Sequence, residues 1–168
     1  MFKQIIFPIL AVVAFIVVVG IFVQKSSSLK LTGLFMPQPT ANPEKTIAIG
    51  SKKISVQIAD TSAKRTKGLS GVKSLEADHG MLFVFGVKDS TPAFWMKDMD
   101  IPLDMVWITG GKIIRIDKNI PAPTAGTPDS KLKIYSAGQP VDYVLEVNAG
   151  FSDQNNVKVG NGVDLSAI

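Results

Sequence analysis

Leu103-Asp104-Met105-Val106-Trp107-Ile108-Thr109-Gly110-Gly111-Lys112-Ile113-Ile114-Arg115-Ile116 decides the fold class. Two apolar runs flank a Gly-Gly pair, and glycine takes the positive φ that a tight hairpin turn requires. Upstream, Ile47 and Ile49 alternate, Gly50-Ser51 turns the chain, and Ile54, Val56 and Ile58 alternate with Ser55 and Gln57. That pattern predicts a second hairpin. Further short strands are expected at Met81 to Phe85, Ala93 to Met96, Val141 to Val147 and Val157 to Val163. Asp60-Thr61-Ser62 supplies N-caps for a short helix through about Leu69, with Gly68 and Gly71 to end it. Phe151 to Asn156 reads as one helical turn, and the proline-bearing stretch Lys118 to Lys133 as a long surface loop. Roughly eight short strands without a long helix exclude a covered parallel sheet. The expected fold is mainly β, an antiparallel sandwich or jelly-roll-like barrel with one or two short helices.

Outward from that β-rich body, residues 46–168, the N-terminal part has a different character. Ile5 to Val23 is a 19-residue run without a charge. As a helix it spans about 28 Å, close to the roughly 30 Å hydrocarbon core of a bilayer. It exceeds the h-region of a cleaved leader, and no A-x-A-like site follows it. Residues 1–4 are therefore expected as a short arm and 5–23 as a transmembrane helix. Residues 24–45, with Ser26-Ser27-Ser28, Pro37, Pro39 and Pro43, are expected as a flexible linker. The expected location is the cytoplasmic membrane, single-pass, with the C-terminal domain outside the cytoplasm; secretion after signal cleavage is the alternative. Lys3 precedes the span and Lys25 and Lys30 follow it, so charge alone leaves the orientation open.

Composition narrows the function. The 168 residues contain no Cys and one His, His79, which excludes disulfides, thiolate metal sites and any site needing two imidazoles. Residues 1–45 carry four lysines against Glu44, leaving 14 basic and 13 acidic residues in the domain. A nearly neutral domain does not present the dense basic face that nucleic acid requires. Asp98, Asp100 and Asp104 lack the Gly and Glu of a calcium loop, so no metal or cofactor is expected.

The candidate site comes from charges on apolar strand rows. Asp104 shares a row with Val106 and Ile108, and Glu146 shares one with Val144. A carboxylate on a core face must be paired, hydrogen-bonded or protonated. Arg65, Lys97 and Arg115 are candidate partners for Asp104. Alternation leaves open whether these rows face the core or water. Trp95 and Lys97 alternate with Phe94 and Met96, and could line a groove beside Asp104 if Trp95 is not itself core.

Several segments resemble one family. Gly80-Met81-Leu82-Phe83-Val84-Phe85 is similar to its GMLFxF strand. Phe94-Trp95-Met96-Lys97 with Ile101-Pro102-Leu103-Asp104 resembles its FWMKNTxIPLD signature, with Asp98-Met99 in place of Asn-Thr. Gly111-Lys112-Ile113, Val144-Leu145-Glu146 and Ala149-Gly150 resemble its later segments. On these motifs the chain resembles the domain of unknown function 192 family. The resemblance implies a compact, mainly-β fold and no reaction.

The resulting expectation is a membrane-anchored, non-catalytic ligand-binding or protein-interaction module. Its site residues are Arg65, Trp95, Lys97, Asp104 and Glu146. Its partners are the bilayer, through residues 5–23, and a polar small molecule, carbohydrate or envelope protein. The alternative is a cell-envelope hydrolase using Asp104 and Glu146 as a carboxylate pair.

Overall fold

Strands β1 (Lys45–Ile49) and β2 (Lys52–Ala59) form the first hairpin, turning at Gly50, which holds φ +58°. The computed structural model describes residues 44–86 and 90–168. The expected arm, transmembrane helix and all but the last two linker residues lie outside that range. Lys45 belongs to β1, so the domain begins one residue earlier than composition indicates. Among the described residues no helix is long and apolar enough to cross a membrane.

After β2 the chain enters helix α1 (Ser62–Lys67). The Thr61 hydroxyl accepts from the Lys64 N–H at its start, and the Gly68 N–H donates to the Lys64 carbonyl at its end. These are the expected cap residues. α1 and the loop after it carry the chain to β3 (His79–Val84), which pairs with β2 in parallel. A parallel pair cannot be closed by a two-residue turn; the long α1 connection makes it accessible. β4 (Leu103–Thr109) and β5 (Lys112–Ile120) form the hairpin over Gly110-Gly111. A loop with a 3-10 turn at Asp129–Lys131 leads to β6 (Tyr143–Asn148), then to α2 (Phe151–Gln154) and the short β7 (Val163–Asp164).

The strands form one seven-stranded sheet in the order β5-β4-β6-β3-β2-β1-β7. The mainly-β class is as expected; in place of the antiparallel sandwich or jelly-roll-like barrel, one sheet curls on itself as a half-barrel and carries one parallel pair, β2 with β3. Its two edges meet at one end, where Ile113 N–H donates to Asn161, Gly160 N–H to Ile113 and Val163 N–H to Gly111. Ala93 to Met96, expected as a strand, contributes one bridge, Phe94 with Tyr135, and otherwise runs as a loop.

Both faces of the central strands are buried. Val106, Ile108, Leu145, Val147 and Leu82 fill the concave side. Their alternates Met105, Trp107, Val144, Met81 and Phe83 carry a second core on the other face. Complete burial of each such side chain stabilises by about 1.5–3 kcal/mol. Phe94 covers the outer core, edge-on to Phe83 at 4.9 Å and to Trp107 at 5.5 Å between centroids. Gly80 is required by contact: a Cβ there would lie 2.6 Å from the Glu146 carbonyl oxygen, so only glycine lets β3 approach β6.

Candidate functional site

Register separates the two candidate carboxylates. On β4 and β6, Asp104 lies opposite Val147, and Glu146 lies opposite Met105. Side chains alternate across a sheet, so Asp104 points with Val106 and Glu146 points with Val144. The two acids occupy opposite faces and share no cleft. The paired-carboxylate hydrolase is therefore corrected: the geometry it needs does not exist in this domain.

Asp104 is fully buried, and neither Lys97, Arg65 nor Arg115 is its partner. Backbone N–H groups take that place. Its Oδ1 accepts from Asn119 at 2.8 Å and Gly150 at 3.1 Å, and its Oδ2 from Ser152 at 2.9 Å. A bulge in the β4–β5 ladder turns the Asn119 N–H inward, with Asn119 at φ +52°. The other two donors belong to the first turn of α2, where a carboxylate is favoured. Asp104 is thus a structural clasp joining β5 and α2 to β4. Arg115 instead pairs with Asp117, which also accepts from the Trp107 indole N–H at 2.8 Å.

Glu146 is the opposite case. It sits between Met81 and Met105 on the outer face, 5% exposed. Burial alone pushes its carboxyl up to about 8, with no hydrogen bond or neighbouring cation opposing it among the described residues. At neutral pH it is mostly protonated. It lies at the inner end of a cavity of about 390 Å³ bounded by α1, β3 and residues 92–99. Phe83, Phe85 and Phe94 form apolar wall, and Trp95, 47% exposed, stands at the mouth.

The rim is cationic. Arg65 donates through Nη1 to the carbonyls of Asp60 and Val84 and lies over the Phe85 ring at 5.6 Å. Lys67 reaches only the Ser70 carbonyl. Lys97 lies 5.6 Å above the Trp95 ring and pairs with Asp129, whose hydrogen bond and charge hold the ammonium above the usual lysine range. The loop that carries Trp95 and Lys97 is pinned at both sides. The Gly71 N–H and the Ser70 hydroxyl donate to the Asp98 and Lys97 carbonyls, and Phe94 and Tyr135 exchange backbone bonds.

Four of the five expected site residues, Arg65, Trp95, Lys97 and Glu146, therefore line one cavity, and Asp104 lies elsewhere. Lys67, Phe83 and Phe85 were not among the expected residues. The signal for the two phenylalanines is their spacing: 83 and 85 share a strand face with Met81, the register partner of Glu146. Among the described residues no group of three acid or imidazole side chains converges as metal ligands.

A family model described as DUF192, Uncharacterized ACR, matches residues 45–165. Among solved structures, the chain is similar to a proposed transcription regulator from Sinorhizobium meliloti 1021, with 29% identity and a TM-score of 0.66, covering 78% of this chain and 100% of that one. It is also similar to a protein of unknown function from Novosphingobium aromaticivorans DSM 12444, with 25% identity and a TM-score of 0.65, covering 76% of this chain and 89% of that one. No curated protein matches the chain.

Proposed function

The chain belongs to the DUF192 family, Uncharacterized ACR, and within it we propose a non-catalytic binding module that takes a small molecule in the cavity above Glu146. The observation that carries the reading is a buried carboxyl with no described hydrogen-bond partner at the inner end of an aromatic-walled cavity. Such a group costs stability unless something satisfies it. An apolar pocket with a few convergent polar groups is the usual form of a small-molecule site. Among the described residues Glu146 is the sole carboxylate in the lining, and the hydroxyls of Ser62, Thr66 and Ser70 have no general base beside them, so binding is favoured over turnover.

The module is tethered to the membrane by residues 5–23, with the domain outside the cytoplasm; the uncharged 19-residue run supports this part. The near-neutral domain keeps nucleic acid outside the proposal, whatever the Sinorhizobium neighbour binds.

Thr66 is exposed on α1 at the cavity mouth, so Thr66→Trp should close it without touching the core. Compounds that raise the melting temperature of the wild type should leave that of T66W unchanged. Equal shifts in both proteins would move the site elsewhere. Protease added to spheroplasts should digest the domain, and a protected domain would reverse the proposed topology.

A further inference from the structure

The binding reading leaves the ligand class open, and the cavity's charge narrows it. Among the described residues three cations, Arg65, Lys67 and Lys97, and one acid, Glu146, line the space. Arg65 and Lys67 have no carboxylate partner among the described residues; their bonds go to backbone carbonyls. β3 and β4 place only the apolar Met81 and Met105 directly opposite Glu146. We infer that the cavity takes a small organic anion with a single aromatic or similarly flat apolar body. Its negative group sits at the Arg65–Lys67–Lys97 rim, and a hydrogen-bond acceptor at its other end meets the Glu146 carboxyl.

Several observations converge on that class, which rests on the binding reading. Rim cations in a half-enclosed site attract an anion more strongly than the same charges in open water. A cationic ligand would meet the like charges of Arg65 and Lys67, which no described carboxylate offsets. Phe83, Phe85 and Phe94 supply apolar faces for a flat body, and a volume of about 390 Å³ is at the small end for ligand pockets. The inner end must satisfy Glu146. Because burial holds its carboxyl protonated at neutral pH, it donates there, and a carbonyl or ether oxygen accepts.

Three matched probes test this on the full chain in detergent by titration calorimetry: 4-acetylbenzoate, 4-isopropylbenzoate and 4-isopropylbenzylamine. The two acids share the carboxylate and ring and differ at the inner end, a carbonyl acceptor against an apolar branched carbon of similar size, and the amine reverses the rim charge. At pH 6.5 both acids should bind at least tenfold more tightly than the amine. The ratio of 4-acetylbenzoate to 4-isopropylbenzoate affinity should fall at least fivefold in Glu146→Leu, a variant that removes a buried acid and does not threaten folding. Lys67→Gln should weaken both acids and leave their ratio unchanged. Amine binding equal to that of the acids, or no binding by either acid, overturns the anion assignment while the cavity reading stands. An unchanged ratio in E146L overturns the role of Glu146. Acid binding that persists in T66W overturns the cavity reading itself.

Discussion

Replacing Glu146 with glutamine should convert a pH-dependent liability into a neutral residue. In the unfolded chain this carboxyl ionises near 4.5, whereas in the folded domain it holds its proton until about 8. Between those values the folded state binds a proton that the unfolded state has released. Stability of the wild type therefore falls as pH rises through this window. At about 1.36 kcal/mol per pH unit, the penalty grows across the window to about 5 kcal/mol and stays constant above pH 8. Glutamine keeps the shape and can still hydrogen-bond, but cannot ionise. The assay is urea unfolding of residues 44–168, wild type and Glu146→Gln, by circular dichroism at intervals from pH 4.5 to 9. The variant's advantage should be near zero at the acid end and rise steadily to about pH 8. Taking the difference cancels every group common to both proteins. A difference that stays flat within about 1 kcal/mol across the range would refute the reasoning, because it would mean the carboxyl is hydrated in the fold.

Other substitutions probe the clasp and the sheet. Asp104→Ala strands three backbone donors and should cost about 3 kcal/mol or more, read as a lower urea midpoint. Asp104→Asn keeps one accepting oxygen and should cost less than Asp104→Ala in the same assay. Gly80→Ala should destabilise by about 1–3 kcal/mol, since the added carbon meets backbone that cannot yield. Trp107→Phe removes the indole bond to Asp117 and should cost about 1–2 kcal/mol, with Arg115 still holding the carboxylate.

Local elements were legible because their causes are local. Thr61 and Gly68 bound α1 through contacts within a few residues, and the hairpins at Gly50 and Gly110-Gly111 follow from turn chemistry. The stretch around Phe94 reads as a strand by apolar content, yet its apolar side chains serve to roof the outer core instead. A sandwich and a barrel were both left open where one curled sheet exists, because the alternation pattern of a strand is the same in all of them.

The chain's own order of residues determined that the body is β-rich, where it turns, and that Asp104 and Glu146 lie on apolar rows. Tertiary structure alone decided which acid does what. Period-two alternation says which neighbours share a face, but both faces of β4 and β6 are buried, so burial cannot tell the rows apart. The register of β4 on β6 sends one carboxylate inward to three backbone donors and the other outward beneath α1. Strand pairing is a long-range contact, and nothing within a few residues of either acid encodes it.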